Sequence, residues 1–473
     1  MRRLIGMLAL GAGILVGLGI FAWAAYEVVD ALGVVTFAAG IGPALGQALG
    51  SILFLQLLFV MLLATLLTLA ERKWSAAMQD RIGPNRARIA GLSRWSFGGV
   101  PHIIADALKM IAKEDVVPES ARASKLLFQL APALNFAPIF CLFAIVPMGP
   151  PVTFGHLVGH RLVSISSALQ ISNPDIGLLY VFGVASIAVY GVSLAGWASG
   201  NKLALLGGVR ASSQMIAYEV ALGLGLVGMM MAAGSLRLDQ MTQYQSQGLF
   251  GTSWLPAWGI FLQPVGFLLF FAAAFAESKR TPFDLPEGES EIIGYFVEYS
   301  GMKFGLFMIA EFVEIVTLSG VITAIFFGGW HLSPFLDSWI HDSVVAPLVR
   351  ARFSDPTLIA PSIELTMAVI FTVIFMVKLL LLCWLQLLIR WTFPRFRYDQ
   401  VQRLGWRILL PIGLLNVFLT GLLELLDGST RLLGVVGLCE LAFGLGLVFW
   451  TGPSEAKSEG HGLPTEAVLG GHP

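Results

Sequence analysis

Ten apolar stretches, each about as long as a bilayer is thick, constrain this chain more than any other feature. They run 4–24, 49–70, 127–147, 177–198, 215–234, 257–276, 306–328, 365–389, 406–426 and 432–451. A helix needs roughly 20 apolar residues to cross ~30 Å of hydrocarbon. The runs are continuous rather than alternating, which argues against spanning strands. Composition agrees, with 56% hydrophobic and only 12% charged residues, where soluble domains carry about 25% charged. The sequence therefore predicts an all-α polytopic membrane protein of about ten transmembrane helices. A net charge of −1 gives no nucleic-acid signature.

Basic residues set the expected orientation. Of 29 Lys and Arg, 23 fall in alternate segments that share one side, if both termini lie in the cytoplasm. Five (Arg161, Arg237, Arg350, Arg352 and Arg431) fall on the other side, and Lys378 lies within a span. The first stretch has a second reading, because Arg2-Arg3, an apolar run and Ala22-Trp23-Ala24 resemble a cleavable signal sequence. Its run exceeds the usual apolar core of ~7–15 residues, which favours a retained helix. The polar tail 452–473 reads as disordered.

Residues 101–114 are too short and polar to span. As a helix they place Ile104, Leu108 and Ile111 on one stripe and His102, Asp106, Lys109 and Lys113 on the other. Such a helix lies in the interface or under a partner. The long outside loop 329–364 can also form a short amphipathic helix.

Several motifs have plain structural explanations. Gly223, Gly225 and Gly228 match a dinucleotide pattern, but inside a span they point to close helix packing. Gly13 and Gly17 receive the same reading. His156 and His160 have no third ligand nearby, and a polar loop is the simpler account. Cys141, Cys383 and Cys439 sit in apolar runs without paired spacing, suggesting neither a disulfide framework nor a metal site.

The acids are more informative. An ionised carboxylate is costly in hydrocarbon, so intramembrane acids mark candidate sites. Glu219, Glu311 and Glu314 lie in or near spans, while Glu71 and Glu277 stand at span ends. Glu71 has Arg72 and Lys73 beside it, whereas Glu219 and Glu311 have no basic sequence neighbour. In the cytoplasmic loop 277–305, six acids mix with Ile, Phe and Tyr. Pro282, Pro286 and Gly288 prevent one continuous helix. Crowding in this loop favours partial protonation near neutral pH, with Lys279 and Arg280 as candidate counter-charges.

Five blocks of this sequence resemble a known family: AERKWSAAMQDRIGPNR (70–86), ADALKMIAKEDVVP (105–118), GWASGNKLALLGGVRASSQMIAYEV (196–220), AESKRTPFDLPEGESEIIGYFVEYSGMKFG (276–305) and PRFRYDQ (394–400). The chain resembles the H subunit of the membrane arm of proton-translocating NADH:quinone oxidoreductase, respiratory complex I. The resemblance implies an eight-helix core over 49–426. Residues 1–48 add a helix and outside loop, and 427–451 add a C-terminal helix. It implies a bacterial inner-membrane subunit that walls a quinone chamber and links quinone reduction to proton translocation.

Carried over by block, Glu71, Arg72, Asp106, Lys109 and Arg395 stand at or near the chamber. Glu219, Glu277, Glu287, Glu289, Glu291 and Glu311 line an acidic path toward antiporter-like subunits. The implied partners are the hydrophilic-arm quinone-module subunits, small membrane-arm subunits and lipid. Quinone is substrate, and iron–sulfur clusters and flavin reside in partners. The chain itself has no cofactor motif, so no redox activity is expected of it alone. A membrane subunit of an energy-converting hydrogenase is a rival that the complete GPNR, PFDLPE and PRFRYDQ blocks disfavour. A stand-alone transporter is a second rival, disfavoured by the absence of repeated halves.

Overall fold

Helices follow one another along nearly the whole chain, and all ten apolar stretches fall on helical segments. The computed structural model describes residues 2–39, 42–87, 99–158, 161–285, 294–352, 356–426 and 430–450. In order these form α1 (Arg2–Ala38), α2 (Pro43–Met78), α3 (Pro101–Ala112), α4 (Lys125–Leu142) and a hairpin of β1 (Val152–Val158) and β2 (Arg161–Ser167). There follow α5 (Gly177–Ala198), α6 (Lys202–Ala233), α7 (Leu238–Tyr244), α8 (Gly259–Leu262), α9 (Pro264–Glu277) and α10 (Gly301–Phe326). The chain continues through α11 (334–352), α12 (Pro356–Thr392), α13 (Tyr398–Leu426) and α14 (Thr430–Trp450).

Among the described residues, eight helices are long and apolar enough to cross a membrane: α1, α2, α4 with its flanking turns, α5, α6, α10, α12 and α13. The chain is thus an all-α polytopic membrane protein. The expected span 257–276 departs from the pattern. It breaks into α8 and α9 because Pro264 has no N–H to donate and disfavours helix at the preceding residue. Gln263 accordingly sits at φ −140°, ψ 61°. The last stretch forms the 21-residue α14. The tail 452–473 lies outside the described residues.

α10 is the central post. Every residue from Ala310 to Phe326 is buried, as expected for a helix apolar on all sides. It packs against α2, α4 and α12. Its far end is closed by Lys378 of α12, whose ammonium donates to the carbonyls of Phe327 (2.7 Å), Gly329 (3.0 Å) and His331 (2.5 Å). These carbonyls belong to the C-cap residue Phe327 and the loop just past it, and together they give the ammonium three acceptors. That explains how a lysine survives inside a span.

Gly225 and Gly228 of the α6 pattern serve close packing, whereas a Cβ on Gly223 would stand 4.0 Å from the Phe182 ring, an ordinary contact. A Cβ on Gly225 would stand 2.9 Å from both the Gly266 oxygen and the Phe270 nitrogen of α9, and one on Gly228 would strike the Gln263 side chain. Gly13 and Gly17 do not pack in this way within the chain: among the described residues nothing comes within 4 Å of their added Cβ atoms. α1 is held instead through Tyr26, which donates to the Pro150 carbonyl at 2.8 Å and lies 3.3 Å from the Thr372 hydroxyl of α12. The hairpin between α4 and α5 has no counterpart among the expected elements. It pairs Val152 with Ser167 through Val158 with Arg161 and places His156 on β1, while His160 lies outside the described residues.

Candidate functional site

Charged side chains converge where α2, α9 and α10 end or begin on one face of the bundle. Glu71, near the end of α2, accepts from the Arg280 guanidinium at 2.5 Å and pairs with Arg390 of α12 at 3.0 Å. Its partners are therefore not the adjacent Arg72 and Lys73 but residues over 200 positions away. Arg280 is only 4% exposed. Its guanidinium lies 4.0 Å over the Phe312 ring, and its second terminal nitrogen is 3.7 Å from Glu311. Glu311 thus has a cationic neighbour that its local sequence does not supply.

The turn after α9 explains how Lys279 and Arg280 come to point inward. α9 ends at Glu277, and Pro282 prevents the helix from continuing. Lys279 takes φ 56°, an uncommon left-handed conformation for a residue with a Cβ. This reverses the chain and brings its ammonium to 3.6 Å from Glu314. The two cations expected as counter-charges to the loop acids reach Glu71, Glu311 and Glu314, and Lys279 also acts on Glu277. Gln214 of α6 fastens the turn by donating to the carbonyls of Ala276 (2.6 Å) and Phe283 (2.8 Å). In the same turn, buried Asp284 pairs with Arg395 at 2.5 Å.

Glu277 is buried and within electrostatic range of both Glu314 and Glu219. Glu219 accepts a hydrogen bond from the Ser186 hydroxyl of α5. Glu71, Glu311, Glu314, Glu277 and Glu219 therefore form one electrostatically linked series, interleaved with Arg280 and Lys279. Glu287, Glu289 and Glu291 lie outside the described residues. Arg390 belongs to the site although nothing in the sequence singles it out, whereas Asp284 is one of the six acids noted in the loop 277–305. Two cations following directly on an apolar run, before a proline, are the only local sign that Lys279 and Arg280 turn inward.

Beside this network lies a cavity of about 580 Å³, walled by Glu71, Arg72, Arg81, Arg86, His102 and Trp391 among others. Arg72 is held by Asp106 of α3 at 2.5 Å, and Lys109 stands 3.6 Å from the same carboxylate. α3 forms as expected, with Ile104, Leu108 and Ile111 facing outward, each more than half exposed. Arg395 is not among the cavity walls; its partner Asp284 places it at the neighbouring turn. The site thus joins a polar cavity to a buried carboxylate series through one shared side chain, Glu71.

Such an arrangement defines a class: a membrane protein that gathers ionisable groups at one end of its helix bundle around a cavity. A family model described as NADH dehydrogenase matches residues 51–421. The chain is 40% identical over 355 residues to the NADH-quinone oxidoreductase H subunit 1 of Cytophaga hutchinsonii, covering 75% of this chain and 90% of that one. It is also 40% identical over 382 residues to the NADH-quinone oxidoreductase H subunit 2 of Geobacter sulfurreducens, covering 80% and 98%. The chain belongs to the NADH dehydrogenase family, that of the NADH-quinone oxidoreductase H subunits.

Proposed function

We propose that the chain forms the membrane wall of a quinone chamber and couples quinone reduction to proton movement through its buried carboxylates. The observation that carries this reading is the double membership of Glu71, which lines the cavity and also bonds Arg280 inside the network. Two unit charges 4 Å apart interact by about 4 kcal/mol at an effective dielectric of 20. A charge appearing on a quinone headgroup in the cavity therefore acts strongly on Glu71. Arg280 passes that change to Glu311, and Glu314 and Glu277 feel it in turn. Protons then redistribute by population shift, without a large backbone motion.

On this reading the cavity end faces the cytoplasm, where the basic loops lie, in a bacterial inner membrane. Electrons reach the quinone from an iron–sulfur cluster in a hydrophilic-arm partner, and the chain alone is redox-silent. Asp106 and Lys109 hold Arg72 at the rim, and the outward apolar stripe of α3 meets a partner or lipid at the entrance.

Glu71→Gln tests the reading in the assembled complex. The substitution keeps an acceptor but removes the charge. Quinone reductase turnover falls roughly tenfold, the effect of about 1.4 kcal/mol on a barrier, while ferricyanide reduction, which bypasses quinone, stays near wild type. Equal loss in both assays would make Glu71 an assembly residue and sink the proposal.

A further inference from the structure

The residue that precedes α10 is a serine that does not cap it. Ser300 has extended backbone (φ −127°, ψ 166°) and makes no side-chain bond to its own helix. Serine at this position ordinarily accepts from a free N–H of the first turn. Its hydroxyl turns instead to the chain leaving α3. It accepts from the Val116 N–H at 3.1 Å and donates to the Glu114 carbonyl at 3.1 Å. One hydroxyl thus satisfies a backbone donor and a backbone acceptor that lie past the end of α3, which closes at Ala112 with Lys113 extended.

The residues around Ser300 bring the two segments together. Gly301 takes φ 57°, the left-handed region that favours glycine. A Cβ there would also stand 3.1 Å from the Lys113 carbonyl oxygen, so one residue makes both the turn and the close approach. One turn on, a Cβ on Gly305 would lie 2.9 Å from the Met110 sulfur of α3. Tyr299 stacks on Phe128 of α4 with ring centres 4.0 Å apart, which fixes the point from which Ser300 reaches out. Lys303 adds an ion pair with Asp115 at 2.7 Å, but Asp115 is 52% exposed, and such a pair contributes little in water. The hydroxyl bridge and the glycine contacts hold α3 on α10.

This attachment matters because of what α3 carries. Asp106 and Lys109 stand on it, and Asp106 holds Arg72 at the cavity wall. On its other side Ile104, Leu108 and Ile111 are each more than half exposed, so the described residues give α3 no wall there to keep it in place.

We propose that Ser300 is a positioning residue for the cavity rim: it rivets the end of α3 to the helix that carries Glu311 and Glu314, and so sets how often Asp106 holds Arg72 in place. The inference rests on the reading of α3 as the rim of a quinone chamber. A rim correctly placed only part of the time weakens apparent binding by the reciprocal of that fraction. A quinone already seated meets unchanged groups at Glu71 and Arg280. Loosening the rivet therefore shows in KM rather than in kcat.

The test compares Ser300→Ala and Ser300→Thr in the assembled complex. Threonine keeps the hydroxyl, and its branched Cβ suits extended backbone. Ser300→Ala should speed amide exchange over 109–116 about fivefold, on the scale of one hydrogen bond, and raise the KM for quinone by a similar factor. Its kcat and its ferricyanide reduction should stay near wild type, and Ser300→Thr should match wild type in both exchange and KM. Unchanged exchange in Ser300→Ala overturns the proposal, as does equal impairment in both variants, which assigns the effect to packing rather than to the hydroxyl. Faster exchange with an unaltered KM keeps the rivet and refutes the reading of α3 as the quinone rim. Should Ser300→Ala fail to assemble, the same exchange measurement on the full-length chain in lipid nanodiscs decides by the same criterion.

Discussion

Two arginine–carboxylate clusters sit in different parts of this molecule, and they differ in how far apart in sequence their members lie. Arg237 and Asp239 are two residues apart, share two hydrogen bonds of 3.1 and 2.8 Å, and are each 28% exposed. Arg280 joins Glu71 and Glu311 across 209 and 31 residues and is nearly inaccessible. The first pair forms within a local turn, with Asp175 and Asn173 reaching it from over 60 residues away at the exposed surface. The second exists only once α2, α9 and α10 have packed. It therefore reports on the tertiary fold, and its charges interact in a medium where each is worth more.

The largest effect should follow from breaking the buried cluster. Arg280→Met removes the cation that Glu71 and Glu311 share. Breaking a buried ion pair on one side costs about 3–5 kcal/mol, because the remaining charge is left poorly compensated. The expected outcome is a large drop in assembled complex and faster thermal inactivation in detergent. Adding Glu311→Leu to Arg280→Met should recover part of the loss, since an apolar replacement of the whole pair often approaches neutrality. A single variant with native yield and inactivation rate would show that the cluster is not coupled to the fold.

That contrast also marks what is legible in the sequence. The spans, the amphipathic α3 and the packing role of Gly225 follow from periodicity and residue size, which are local properties. The acids at 71, 219, 277 and 311 stand out because carboxylates are rare in apolar runs. Their partners do not, because sequence proximity favours Arg72 for Glu71 while the fold delivers Arg280 and Arg390. The break at Pro264 is hidden for a related reason, because it lies inside a run whose hydrophobicity predicts one unbroken span.

An intermediate effect belongs to Asp106→Asn. The Arg72–Asp106 pair is short, at 2.5 Å, but Arg72 is 53% exposed, so its contribution to stability is at most about 1 kcal/mol. Its value lies in orienting Arg72 at the cavity wall. Quinone reductase activity should fall about fivefold, or about 1 kcal/mol on the barrier, with complex yield and ferricyanide reduction unchanged. Loss of yield comparable to that of Arg280→Met would erase the distinction between rim and interior.

The smallest effect is expected from Asp239→Asn, and its pH dependence separates the two clusters further. Burial alone would push the Asp239 carboxyl up. Hydrogen bonds from Arg237, Asn173 and the Gln240 N–H, with the Arg237 charge, outweigh it and hold the group below the usual carboxylate range. A depressed folded-state value means that the unfolded chain binds the proton more readily. The pair therefore stabilises the fold fully above the unfolded value of about 3.9, and its contribution fades as pH falls through the lower folded value. For a partly exposed pair the stake is about 0.2–1 kcal/mol. Asp239→Asn should thus lower thermal stability slightly at pH 7, and the gap between variant and parent should close on acidification below about pH 4. It should shrink with added salt as well, because this cluster is open to screening whereas the Arg280 cluster is not. A gap that persisted unchanged in acid and high salt would mean that Asp239 acts by shape and hydrogen bonding rather than by charge.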